Sequence, residues 1–475
     1  MPRTRREFLA TSLSASATLT AGFAGLRLAS AASVAPTGGP RFGPLIDDPK
    51  GLLDLPKGFS YRVISRRGEE MDDGLLLPGR PDGMAALPGP AGLTLLMRNH
   101  ELSPRQETAF GEHGERLAAI DTSKLYDPGA PAASASIDAG RRAATPGGGG
   151  VTTLVYDTRR QRVVRQFLRL GGTIRNCAGG PTPWGSWVTC EEATDSPTYS
   201  EKEGYRCGRD HGYAFDVPAS ATPGLLAAEP LKAMGRFRRE AVAVDPASSA
   251  VYQTEDMDDG AFYRFLPNEA ENLSAGGKLQ ALKVSGRPSL DTRNWKAGSG
   301  SGAGVIAPGE KLAVEWIDLD DPESPKDDLR YRAFASGAAR FARGEGIWWT
   351  DGGAYFACTS GGRAEIGQIW RIVPDGGAGG SLELFIEPND SNLIENADNL
   401  TGSPWGDLVV CEDRQGEVVR LIGVSADGGV DTLANNRARC EFAGACFSPD
   451  GSTLFVNIQA PGLTIAITGP WPAAS

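Results

Sequence analysis

Residues 176–192 read NCAGGPTPWGSWVTCEE: a polar start, a turn rich in Gly and Pro, then a short apolar strand closing on two carboxylates. β-formers bounded by turn residues in this way predict a hairpin. The same plan recurs at 82–101 (DGMAALPGPAGLTLLMRNHE), 240–256 (EAVAVDPASSAVYQTED), 345–360 (EGIWWTDGGAYFACTS), 398–413 (DNLTGSPWGDLVVCED) and 441–459 (EFAGACFSPDGSTLFVNIQ). Repeated hairpins on this scale predict an all-β propeller, in which every blade points one strand end at a common axis. The polar ends then converge. Carboxylates gathered in one place are costly unless a cation sits among them, and hard cations take oxygen donors.

Composition agrees with that architecture. The 62 glycines and 33 prolines of the 475-residue chain imply many tight turns, and no long amphipathic helical pattern follows the N-terminal segment. The length suits one large propeller over 36–475. Residues 1–35 read instead as a twin-arginine export signal. Arg5-Arg6 precede Phe8-Leu9, a weakly apolar stretch and small-residue cleavage options at 29–31 and 33–35. That stretch is too short and too polar for a stable membrane anchor. The twin-arginine export machinery is therefore an expected partner, and a periplasmic or secreted location follows.

Formal net charge is −11, and the signal carries four arginines and Glu7, so the remaining chain stands near −14. With no Lys/Arg run to hold a phosphate backbone, the chain is not expected to bind nucleic acid. A negative surface gathers phosphorylated substrates only where bound cations invert the local field. A closed propeller needs no partner to cover its sheet edges, which fits a monomer.

Seven cysteines stand at 177, 190, 207, 358, 411, 440 and 446, an odd number that leaves at least one unpaired. Cys190, Cys358 and Cys411 sit inside apolar strands as inert thiols, and Cys440 and Cys446 are close enough in sequence to pair. Cys177 opens a Gly-rich turn at a polar hairpin end, where it is either a small buried residue or a metal ligand. As a thiolate it would select iron or zinc over calcium. Three histidines, His100, His113 and His211, exclude a histidine-rich centre, and the last two have no obvious partner. Asn99-His100-Glu101 reads either as a ligand patch or as a hydrogen-bonded blade end. No G-x-S-x-G elbow, H-E-x-x-H or P-loop is present.

RNHE at 98–101, the 176–192 segment, GRFRREA at 235–241, FARGEG at 341–346, the 398–413 segment and EFAGACFSPDGSTLFVNIQAPGLTIAITGPW at 441–471, in that order, resemble the PhoX-type alkaline phosphatases. The resemblance implies a six-bladed propeller that hydrolyses small phosphomonoester substrates with Ca2+ and Fe3+ in its axial channel. By motif it implies that Cys177, Glu240 and Glu345 hold or bridge iron and that Arg343 contacts the phosphoryl group. Arg343, Glu345 and Cys177 are thus the expected catalytic residues. Glu101, Glu191, Glu192, Asp256, Asp398, Asn399 and Glu412 would form the calcium shell. Two departures are visible: Arg239 where many relatives carry histidine, and Gly344 where proline is common. Two other readings fit an acidic propeller axis: a calcium-dependent hydrolase of lactonase or phytase type, and a calcium-stabilised envelope binding protein. Iron content and a phosphomonoester assay separate them.

Overall fold

The computed structural model describes residues 41–473 apart from 105, 113, 130–145, 198–204, 297–304 and 351. The export segment and His113 lie outside the described residues.

Each of the six quoted segments forms a hairpin that supplies the first two strands of one blade. They are Pro81–Pro88 with Thr94–His100, Asn176–Pro181 with Ser186–Glu191, Arg239–Val244 with Val251–Glu255, Gly344–Thr350 with Gly353–Cys358, Ala397–Gly402 with Leu408–Glu412, and Phe442–Phe447 with Thr453–Ile458. Three of the hairpins share a Thr/Ser-Pro-X-Gly turn, at 182–185, 403–406 and 448–451. In each, the glycine N–H bonds back to the first residue's carbonyl. Proline pre-sets φ at the second turn position, and the glycine takes the left-handed conformation.

The first strands of the six hairpins pack against one another in cyclic order, the last (Phe442–Phe447) against the first (Pro81–Pro88). That closes a ring. By hydrogen bonding the six blades form five sheets, because Lys311–Asp318 joins the outer strands Asn272–Val284 and Gly380–Ile386 of two neighbouring blades. The second blade has three strands. The N-terminal chain completes the circle. Ser60–Arg66 is the outer strand of the last blade, and Leu53–Pro56 with Leu45–Ile46 extends the one before it. Pairing N-terminal strands onto C-terminal ones joins the two chain ends at the seam.

The core lies between blades. Phe262 and Phe356 stack at 4.4 Å beside Phe341 and the fully buried Trp370. Truncating such a ring to Ala costs about 3–5 kcal/mol. The last two blades pack through Leu421, Leu454 and Ile467. Among the described residues the α-helix is Leu329–Ala335, and no helix is long and apolar enough to cross a membrane. All seven cysteines are free, so Cys440 and Cys446 are not joined.

Candidate active site

Every first strand slips in register against its hairpin partner near its start, between 81 and 84, 176 and 179, 239 and 242, 344 and 347, 397 and 400, and 443 and 446. A bulge of this kind re-aims a side chain. The residues just inside the slip are Asp82, Cys177, Glu240, Glu345 and Asp398, and all five line one central cavity of about 630 Å³. The sixth is Gly444. Its φ is +61°, and a Cβ there would lie 2.2 Å from the Asp82 carbonyl oxygen, so the sixth blade contributes Glu441 instead. The next positions Gly83, Ala178, Ala241 and Gly346 are small because the strands nearly touch; a Cβ on Gly346 would lie 2.7 Å from Asn399 Cα. Asn399 sits in this narrow waist. It accepts from the Gly444 N–H (2.9 Å) and donates to Asp398 (3.0 Å), and does not line the cavity.

The second strands decide which carboxylate of each pair faces inward. Successive side chains point oppositely along a strand, so Glu192, Asp256 and Asp413 line the cavity, with Glu101 and Gln459, while Glu191, Glu255 and Glu412 turn into the blades. Glu191 accepts from Ile174, Gly212 and Tyr213 N–H groups and contacts His211 at 2.6 Å. Glu412 accepts a bidentate pair from Arg420 and the Glu395 N–H. Glu191 and Glu412 are therefore blade anchors rather than part of the cavity lining. Asn99 and His100 are a hydrogen-bonded blade end: Asn99 donates to the Ala178 carbonyl, and the ring nitrogens of His100 meet Gly79 O and Thr152 Oγ1.

Two residues before the cavity-lining position, four blades carry an arginine: Arg80, Arg175, Arg238 and Arg343. Arg80, Arg175 and Arg343 have φ of +42°, +46° and +51°, a backbone cost of order 1–3 kcal/mol each for a non-glycine residue. The strained turn directs the guanidinium across the mouth. Arg343 pairs with Glu345 (2.6 Å) and Asp256 (2.7 Å), Arg175 with Glu192 (2.6 Å) and Glu101 (3.3 Å), and Arg80 with Glu101 (3.4 Å). Arg238 bonds Glu192 and stands 3.6 Å from Asp256. Arg239 points elsewhere, buried against Phe237 and donating to Gln253 and the Gly235 carbonyl.

Inside the arginine collar negative charge is crowded. Burial, then neighbouring acids, push Asp82, Glu240, Glu345 and Glu441 well above the usual carboxylate range. Burial lifts Glu192 and Asp398 to about 7. Asp256 alone goes down, because Arg343, a hydrogen bond with Glu192 and Arg238 together outweigh its burial. Burial and the surrounding acids likewise raise the Cys177 thiol. Glu240 is fully buried, and neither of its carboxylate oxygens has a hydrogen-bond partner among the described residues. Three groups place one donor atom each within 4.8 Å of one another: Glu101–Cys177–Glu192, Glu240–Glu345–Asp398 and Asp398–Asp413–Glu441. Oxygen donors with one sulfur fit several hard cations and one softer metal. Asp82, Asp413, Glu441 and three of the arginines were not singled out from the sequence; the repeated offset of Arg two residues before an acid or Cys177 is the signal that marks the collar.

A family model described as "Alkaline phosphatase PhoX" matches residues 40–462. No curated protein sequence matches the chain. Among solved structures, Pseudomonas fluorescens PhoX in complex with vanadate, a transition state analogue, superposes with TM-score 0.63 at 17% identity, covering 92% of this chain and 97% of that one. A gluconolactonase of Xanthomonas campestris reaches only 0.39 at 12% identity, over 90% and 98% of the two chains. The first similarity establishes a shared fold; the second is too low to carry an argument.

Proposed function

The chain belongs to the PhoX alkaline phosphatase family, a family of metal-dependent phosphomonoester hydrolases, and we propose that the central cavity is its active site, loaded with Ca2+ and Fe3+. The observation that carries this reading is the Glu240 carboxylate, buried without a hydrogen-bond partner among the described residues and surrounded by other acids. Ionising a carboxyl buried in that way without a compensating cation costs several kcal/mol. Cys177 with Glu101 and Glu192 would hold the softer ion, and the two carboxylate groups meeting at Asp398 would hold the harder ones.

Bound there, the cations would neutralise the phosphoryl dianion and stabilise the leaving oxygen, which side-chain acid–base catalysis alone cannot do on the required scale. The chain's own residues do the rest. Arg343 presents a planar fork, held by Asp256 and Glu345, that fits two phosphoryl oxygens. Arg80, Arg175 and Arg238 set a positive rim around an acidic interior, so an anionic ester meets cationic side chains first despite the negative chain. Glu345 and Asp256 orient Arg343 until substrate replaces them at the fork.

The test is hydrolysis of a simple aryl phosphate monoester by protein purified with its native metals, alongside elemental analysis. Turnover with iron and calcium bound supports the proposal; calcium without iron, or no turnover on any phosphomonoester, overturns it. We further propose twin-arginine export to the periplasm or medium. Arg5→Lys with Arg6→Lys should hold a folded precursor in the cytoplasm, and unchanged export would refute the signal.

A further inference from the structure

Outside the central cavity, a second set of donor atoms converges in the interior. We propose that Asp127, Cys207 and His211 form a metal site for one zinc-class divalent cation, which fastens the long connections of the first two blades to each other. Each offers a donor atom within 4.8 Å of the others, and their exposures are 1%, 1% and 0%. Asp127 belongs to the connection between Thr94–His100 and Gly149–Asp157, and the other two lie between Ser186–Glu191 and Ala214–Pro218. Carboxylate, thiolate and imidazole together are the donor set of a borderline-soft cation, not of calcium.

The surroundings are arranged as around a ligand. His211 Nδ1 lies 2.6 Å from Glu191 Oε1. A carboxylate that takes the Nδ1 proton turns the Nε2 lone pair outward and fixes the ring, the usual support behind a metal-bound histidine. Nε2 faces Asp127 Oδ2 at 3.3 Å. For metal–ligand bonds near 2.0 Å, two corners of a tetrahedron stand about 3.3 Å apart. The Asp127 carboxylate is itself fixed, one oxygen accepting from the Gly129 N–H and the other from the Gly208 N–H. The connection that carries Cys207 and His211 has no regular helix or strand among its described residues, so a cation there would add to the buried Ile174–Ala193–Tyr205–Cys207 cluster and the Tyr126–His211 contact that already hold it. The brace reaches the central cavity. Glu191 adjoins Glu192 and accepts from the Ile174 N–H, next to Arg175, and Arg175 and Glu192 line that cavity.

The ordinary alternative is an imidazolium ion-paired between Glu191 and Asp127, with the Cys207 thiol hydrogen-bonded to the ring. Cobalt(II) distinguishes the two, because a thiolate on tetrahedral cobalt gives a near-ultraviolet charge-transfer band and intense visible absorption. The experiment uses the full mature chain carrying Cys177→Ser, so that the central thiol cannot contribute, stripped with chelator and titrated with Co2+. One equivalent should develop the spectrum, zinc should bleach it, and adding Cys207→Ser should abolish it while circular dichroism keeps its β signature. No spectrum in the Cys177→Ser chain, or one that survives Cys207→Ser, overturns the site. Should Cys207→Ser not fold, Glu191→Gln in the Cys177→Ser chain carries the test: weakening the support behind His211 should loosen zinc by about 10–100-fold, and unchanged affinity overturns the proposal. The spectrum reports on Cys207 whatever the central cavity hydrolyses.

Discussion

Stripping the cations should reverse the way stability responds to pH. Glu192, 4% exposed in the cavity wall, has its carboxyl raised to about 7, chiefly by burial, and a folded-state value above the unfolded one means that the native chain holds more protons between about pH 4 and 7. Over that window the unfolded state binds fewer protons, so stability falls as pH rises and levels off once the folded-state group has ionised. A carboxylate displaced from near 4 to about 7 is worth on the order of 3 kcal/mol at pH 8. Asp398, also raised to about 7, acts in the same direction, while Asp256, held below the usual carboxylate range, is ionised in both states above about pH 5 and leaves this window untouched. For a chain of this size 1 kcal/mol moves Tm by no more than about 2 °C. Chelated protein should therefore melt about 3–6 °C lower at pH 8 than at pH 5, measured by calorimetry in excess chelator. Calcium restored at pH 8 should recover the loss, since an ion at 100 times its Kd stabilises by about 2.7 kcal/mol. A chelated chain whose melting is flat or rises from pH 5 to pH 8 would refute the crowded-carboxylate reasoning.

Cys177→Ser should keep fold and calcium but lose iron, thiolate-to-iron colour and phosphatase activity together, whereas Cys411→Ser, inside an apolar strand, should cost about 1 kcal/mol of stability and leave turnover intact; equal iron in the Cys177 variant and wild type contradicts the assignment. Arg343→Lys keeps the charge and removes the fork, so kcat should fall about 100-fold or more with little change in Tm, and near-normal kcat would exclude Arg343 from the phosphoryl site. Gly444→Ala places a Cβ against the Asp82 carbonyl at positive φ and should destabilise by about 3 kcal/mol or more and lower metal content. Gly185→Ala, also at positive φ but with nothing within 4 Å, should cost only about 1 kcal/mol; equal losses in urea unfolding would show that the waist is not tightly packed.

The hairpins were legible residue by residue because everything that makes them is local: Thr182-Pro183-Trp184-Gly185 and its two counterparts set the turn within four positions, and the apolar strands on either side need no distant partner to be recognised. That the strand ends are acidic was equally plain, and the motif resemblance to the PhoX-type phosphatases pointed to Cys177, Glu240, Glu345 and Asp398. Which of two adjacent acids faces the cavity was not, because the choice between Glu191 and Glu192, or Glu412 and Asp413, depends on where the pleat falls once the strand is paired. Glu441 enters the cavity because closure of the ring leaves no room for a side chain at Gly444. His211, without an apparent partner in sequence, meets Asp127 across 84 positions. Local chemistry along the chain fixes hairpins and their polar ends; only closure of the ring, by the N-terminal strand Ser60–Arg66 pairing with Leu463–Thr468, brings residues hundreds of positions apart close enough to share a charge or an ion.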